Sequence, residues 1–177
     1  LYSKRIAEIM NMNKEFIEEI AVASSLHDIG KIGISDNILL KKGPLTREEF
    51  TIMKEHTTIG SKILMNSSHP TIQMANSIAL NHHERWNGDG YPRGLQSMEI
   101  PVEARIVKLV DEYDALRSER PYKQSLSHDE TFRVLTKGDG RSMPEHFDPE
   151  VLSAFQEVAP YFDEIFNANQ DAKHFDA

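Results

Sequence analysis

The sequence predicts an all-α fold on three observations. Apolar residues recur at three- and four-residue steps through most of the 177 residues. No stretch alternates strictly between apolar and polar, as a half-buried strand would. Helix starts are also written repeatedly in capping chemistry. The first helix is placed near 1–11, where Leu1-Tyr2-Ser3-Lys4-Arg5-Ile6 is already helical in pattern at its first residue, so the chain reads as a piece of something longer. The second runs near 14–28. The third is placed near 47–66, with Thr46 and Glu49 as a capping box and Leu45 and Phe50 as a hydrophobic staple. Pro70 and Pro101 suit the first turns of helices near 70–83 and 101–117. Ser127 and Glu130 repeat the capping box more weakly before 128–137, and Asp148-Pro149, with Phe147 and Leu152 as staple, opens a last helix near 149–166. Seven helices make a compact bundle. The connections at 29–45, 84–100 and 118–126 mix Gly, Pro and charge, and loops of that length in a compact domain are often functional.

Composition bounds the function classes. With 39% hydrophobic and 27% charged residues, 9 Gly and 8 Pro, residues 1–177 read as one globular domain. The absence of cysteine excludes disulfides and zinc-thiolate knots. Twenty Lys and Arg against 28 Asp and Glu give a net charge of −8, which argues against a nucleic acid polymer or an anionic membrane as partner. No apolar run approaches the roughly 18 residues of a membrane span, and no basic-then-apolar leader is present, so the expected location is cytoplasmic.

Chemistry collects on the inward helix faces. Ile17, Ile20 and Ser24 continue at helical spacing to His27 and Asp28; Ile52 and Met53 lead to His56, Ile59 and Ile63; Ile72, Ala75 and Ala79 lead to His82, with His83 beside it; Val107 lies one turn before Asp111. Taken singly, each has an ordinary explanation as a hydrogen-bonded core histidine, a cap or an ion-pair partner. Together, two carboxylates and four imidazoles arrive from four helices with few inward Lys or Arg to pair them. Burying a lone carboxylate costs on the order of several kcal/mol, and a metal cluster satisfies all six groups. Imidazoles and carboxylates without thiolates suit Fe, Mn, Zn or Mg. Six ligands exceed the four of a tetrahedral ion, so two ions are expected, with Asp28 as the candidate bridge. His82 and His83 leave a helix about 100° apart, so each can serve one ion. Such a centre brings a bound water to a pKa of about 7 and aims hydroxide at phosphorus, which makes phosphoester hydrolysis the natural chemistry. The local positive field outweighs the diffuse surface charge because the Debye length is only about 8 Å.

These residues stand in a specific arrangement. His27-Asp28-Ile-Gly-Lys-Ile-Gly, then His56 within Met-Lys-Glu-His-Thr-Thr-Ile-Gly, then His82-His83-Glu-Arg-Trp-Asn-Gly-Asp-Gly-Tyr-Pro, then Asp111 ahead of Arg-Ser-Glu-Arg-Pro-Tyr-Lys, together resemble the HD-GYP family of bacterial cyclic-di-GMP phosphodiesterases over nearly the whole chain. The resemblance implies a helical HD fold with two or three divalent ions, iron or manganese. It also implies hydrolysis of cyclic-di-GMP to pGpG, and in some members to GMP. His27, Asp28, His56, His82, His83 and Asp111 fall where the family has metal ligands, and Lys31 falls where a lysine contacts the scissile phosphate or leaving oxygen. Gly90-Tyr91-Pro92 matches the second signature, in a loop where Gly88, Gly90 and Gly94 permit tight turns, and Tyr91 is expected to face substrate. Arg120 and Lys123 match positions that bind the dinucleotide's phosphates, for which a planar guanidinium is well shaped. Trp86 is expected to pack its loop against the bundle rather than stack on a guanine. An upstream receiver or sensory domain and diguanylate cyclase (GGDEF-type) proteins are the implied partners.

In the family a first metal-binding histidine precedes the His-Asp pair, and counted back through Asn11-Met-Asn-Lys-Glu it would lie just upstream of Leu1. Two or three ions therefore both stay open. Three alternatives are weighed against the diesterase. A phosphohydrolase acting on another nucleotide, such as cyclic GMP-AMP, would share the six ligands. A sensing or cyclase-docking module without catalysis should have lost some of them. A purely structural bundle leaves the inward polar groups unexplained.

Overall fold

A computed structural model of the chain describes residues 1–119 and 125–175, with side chains up to residue 168, and every regular element in it is helical. The α-helices are α1 (Tyr2–Ile9), α2 (Lys14–Ala23), α3 (Asp36–Leu39), α4 (Arg47–Lys54), α5 (His56–Leu64), α6 (Pro70–Asn81), α7 (Val102–Arg117), α8 (His128–Lys137) and α9 (Pro149–Phe175). Short 3₁₀ turns lie at Ser24–Leu26, Ile29–Gly33, Ser97–Glu99 and Pro144–His146. None of the described helices is long and apolar enough to cross a membrane.

Cap chemistry sets the starts as the sequence predicts. Thr46 and Glu49 exchange both capping-box bonds before α4, and Ser127 and Glu130 do so before α8. Asp148 accepts from the Glu150 N–H at 2.8 Å to open α9. Pro70 stands in the first turn of α6, whereas Pro101 is the N-cap of α7. The core lies where α1, α2, α6, α7 and α9 meet, around Ile6, Ile20, Ile78, Leu109, Tyr113, Phe155 and Phe162, each fully buried. Tyr113 makes edge contacts with Phe155 and Phe162 at ring separations of 5.8 and 4.9 Å. Each large side chain so buried contributes about 1.5–3 kcal/mol.

Several helices differ from expectation in their bounds, the first, placed at 1–11, ending at Ile9. The helix placed at 14–28 ends at Ala23, so His27 and Asp28 sit in tight turns beyond it. The helix placed at 47–66 is two, parted at Glu55, and Ile52 and Ile63 are exposed as a result. Phe50 stands 46% exposed with its ring edge-on to Tyr91 at 6.1 Å. The helix placed at 70–83 ends at Asn81, leaving His82 as its C-cap, and α9 runs on to Phe175 with Pro160 inside it. The 29–45 connection is not structureless, since it holds a 3₁₀ turn and α3. More buried cations are present than foreseen, but their partners lie outside the histidine cluster. Arg105 pairs with Asp148 at 2.5 Å, Lys108 with Glu112 at 2.5 Å and Arg117 with Asp163 at 2.7 Å.

Candidate metal centre

Local backbone geometry delivers each polar side chain to one place. After α2, the chain tightens through Ser24–Leu26 into His27 and Asp28 and again through Ile29–Gly33, with the Lys31 N–H donating to the Asp28 carbonyl at 2.9 Å. That second turn lies directly on α5. A Cβ on Gly30 would come within 1.9 Å of the His56 carbonyl oxygen and 2.4 Å of the Gly60 nitrogen, so no residue but glycine lets the turn approach. His56 opens α5, His82 and His83 close α6, and Asp111 projects from the middle of α7.

Three of the imidazoles are held by their own backbone. Nδ1 of His27 lies 2.8 Å from the Ser24 carbonyl, Nδ1 of His56 lies 2.7 Å from the Met53 carbonyl, and Nδ1 of His82 lies 3.1 Å from the Ile78 carbonyl. A carbonyl only accepts, so Nδ1 carries the hydrogen and a neutral ring offers its Nε2 lone pair to the interior. Those lone pairs meet Asp28. Its Oδ1 lies 3.5 Å from His56 Nε2 and 3.9 Å from His82 Nε2, while its Oδ2 lies 3.3 Å from His27 Nε2 and bonds to the Lys31 ammonium. His27 Nε2 is also 3.7 Å from Asp111 Oδ1. The His82 and His83 rings are 4.0 Å apart, and ligand atoms of Asp28, His56, His82 and His83 all lie within 4.8 Å of one another.

Asp28 Oδ1, His56 Nε2 and His82 Nε2 are buried and have no hydrogen-bond partner. Orphaned acceptors aimed at one point are expensive unless a cation takes their lone pairs, and a donor set of imidazoles and carboxylates suits a divalent metal ion. Electrostatics prepares most of the rings for that. Burial lowers the pKa of His56, takes His82 down to about 4 with the charge on His27 acting in the same direction, and takes His83 down to about 2. His27 is the exception: burial disfavours its charge, but the Asp111 and Asp28 carboxylates outweigh that and raise its pKa to about 10. Burial also pushes both aspartates upward, and cationic neighbours overcome it, His27 and Lys31 at Asp28 and His27 at Asp111, holding both well below the carboxylate range.

A cavity of about 390 Å³ opens over this cluster. Asp28, Lys31, His56, His83 and Asp111 form its polar floor, and Leu39, Leu45, Met53 and Tyr91 its apolar walls. The Tyr91 ring stacks on His83 at 4.7 Å and 24°, and burial raises its pKa, so the phenol keeps its proton. A second cavity, also about 390 Å³, adjoins on the α1 side, where Leu1, Tyr2 and Ser3 share the lining with His27, Asp28 and Asp111.

Seven of the positions singled out in the sequence thus converge, namely His27, Asp28, His56, His82, His83, Asp111 and Lys31, with Tyr91 on the wall. Arg120 and Lys123 lie outside the described residues. Trp86 packs as expected: the Arg105 guanidinium lies 5.6 Å over its ring, and its backbone N–H donates to the His146 carbonyl at 2.9 Å. Sequence reasoning missed Gly30, the α3–α4 wall, and Glu84, whose carboxylate organises the Tyr91 loop. Glu84 stood in view as the residue after the His-His pair, but its burial to 1% exposure was not legible.

The HD domain family matches residues 1–151. A cyclic di-GMP phosphodiesterase of Thermotoga maritima is 48% identical over 169 residues, covering 96% of this chain and 45% of the relative. The cyclic di-GMP phosphodiesterase response regulator RpfG of Xanthomonas campestris pv. campestris is 44% identical over 149 residues, 84% of this chain and 38% of its own length. A 3'3'-cGAMP-specific phosphodiesterase of Vibrio cholerae is 38% identical over 157 residues, 89% of this chain and 29% of its own. The chain therefore spans less than half the length of these relatives. With a helical bundle, a cluster of imidazoles and carboxylates at its centre and the Gly-Tyr-Pro loop beside it, the chain belongs to the HD domain family, in its HD-GYP branch.

Proposed function

We propose that this chain is the catalytic domain of a phosphodiesterase that hydrolyses cyclic-di-GMP to linear pGpG. The observation that carries the reading is the division of Asp28, one oxygen toward His56 and His82 and the other toward His27, which suits a carboxylate shared by two cations. In this reading His27, Asp28, His56, His82, His83 and Asp111 would hold two or three divalent ions, iron or manganese. When bound, such ions supply Lewis acidity and a water acidic enough to attack phosphorus near neutral pH.

The chain's own residues do the rest. The Lys31 ammonium, now bonded to Asp28, borders the cavity and is placed to neutralise a phosphoryl or leaving oxygen. Tyr91 brings a protonated phenol to the cavity wall, and Leu39, Leu45 and Met53 add apolar surface that would suit a purine. Arg120 and Lys123 bind the phosphates in this scheme. The names of the relatives support the substrate class, and one of them being specific for 3'3'-cGAMP makes that dinucleotide the second substrate to test. We place the domain in the cytoplasm, spanning residues 1–177 of a longer protein. An upstream receiver or sensory domain accords with the response-regulator relative, and diguanylate cyclases are its signalling partners.

The deciding experiment is elemental analysis of protein purified without oxygen, followed by chromatography of cyclic-di-GMP and 3'3'-cGAMP after incubation. Linear product from cyclic-di-GMP at many turnovers per chain is expected. Product limited to one equivalent, or none from metal-replete protein, overturns the assignment.

A further inference from the structure

The loop after His83 is held shut from beneath by groups that touch neither cavity. Glu84 is 1% exposed, and its two carboxylate oxygens accept from two backbone N–H groups of the same loop, Oε1 from the Arg93 N–H at 2.8 Å and Oε2 from the Leu95 N–H at 3.0 Å. The Arg93 guanidinium turns back to donate to Asn81 Oδ1 at 2.6 Å, and Asn81, 2% exposed, is itself fixed by donating to the Ser77 carbonyl at 2.8 Å. The loop crosses its own beginning with no room to spare: a Cβ on Gly90 would lie 2.3 Å from the Arg85 nitrogen and 2.5 Å from the Glu84 Cα. Between these anchors the Tyr91 N–H donates to the His83 carbonyl at 3.3 Å, and the Tyr91 ring lies flat on the His83 ring.

We infer that Glu84, with the Asn81–Arg93 pair, is a clasp that ties the position of Tyr91 to the same helix end that presents His82 and His83, so that Glu84 and Arg93 are positioning residues for substrate. The physical reason is the double bond to one carboxylate. A buried carboxylate satisfied by two backbone N–H groups fixes where residues 93 and 95 lie, and the two-residue reach from Arg93 leaves Tyr91 one place to stand. The side-chain bonds of the clasp run to Ser77 and to residues 93 and 95, and none runs to Asp28, His56 or His82, so losing it loosens the wall of the site and spares its floor. That Tyr91 meets the substrate rests on the function proposed above.

The test compares Glu84→Gln, which keeps one acceptor and turns the other into a donor facing an N–H, with Arg93→Ala at an exposed position, and with Tyr91→Ala. The wild-type chain has one tryptophan, Trp86, in this loop, so its emission reports the loop with no substrate present. Expected for both clasp variants are a red-shifted Trp86 emission, wild-type metal content, and a KM for cyclic-di-GMP raised about tenfold with kcat within about threefold. In a Tyr91→Ala background, Glu84→Gln should raise KM by less than about twofold, because the residue it positions is already gone. An unchanged KM, a fully additive effect, or loss of metal overturns the inference. If the wild-type chain turns over no cyclic dinucleotide, the proposed function falls, and the clasp is then judged on emission: an unshifted Trp86 in both variants overturns it.

Discussion

At the scale of single residues, the site depends on side chains that fail in different ways when replaced. Asp28→Ala removes the group that faces His27, His56 and His82 at once. It should abolish hydrolysis and metal retention while leaving the far-ultraviolet circular dichroism of the helices unchanged, and retained turnover would refute its role. Gly30→Ala acts by volume. With a backbone oxygen 1.9 Å from the new Cβ, the 3₁₀ turn must lift off α5, and we expect a loss of about 3 kcal/mol in urea unfolding together with weakened metal binding. The two positions also differ in how far the sequence revealed them. Asp28 was legible because a carboxylate among inward histidines needs a cation. Gly30 was not, because its need for hydrogen as a side chain comes from His56 and Gly60, which only the fold brings near.

At the scale of elements, boundaries decide where the ligands point. Thr46 and Glu49 announced the start of α4 correctly, and Thr46→Ala should cost about 1 kcal/mol, measured as a lower urea midpoint, with no change in metal content. The parting of α4 from α5 was invisible for a specific reason. Glu55 keeps right-handed helical angles, φ −64° and ψ −17°, so neither glycine nor proline marks the place, and only the hydrogen bonds shift, with the Glu55 N–H reaching Ile52. The early end of α2 was hidden in the same way, since Ser24 and His27 also keep helical angles. At the far end, Asp148 serves α9 twice, as cap and as partner of Arg105. Asp148→Ala strands the Arg105 guanidinium, only 10% exposed, and should lower stability by about 3–5 kcal/mol, well beyond what a lost cap alone would give.

For the molecule as a whole, the metal-free chain should show a stability maximum in pH. His27 has a raised folded pKa of about 10 against an ordinary 6.5, so its contribution is complete below pH 6.5 and is lost as pH rises toward 10. His82, lowered to about 4, contributes fully above pH 6.5 and loses that contribution as pH falls toward 4. The urea midpoint of metal-free protein should therefore peak near pH 6.5, and a flat profile across that range would contradict a charged His27 beside a neutral His82. Loading with a divalent ion at neutral pH should raise the midpoint and release about one proton, that of His27, measurable by titration calorimetry in buffers of different ionisation enthalpy. The carbonyls of Ser24, Met53 and Ile78 give this centre one more property. Ring orientation is settled while the polypeptide folds, so a cation meeting these three imidazoles would find them already turned and would spend little of its binding free energy on ordering them.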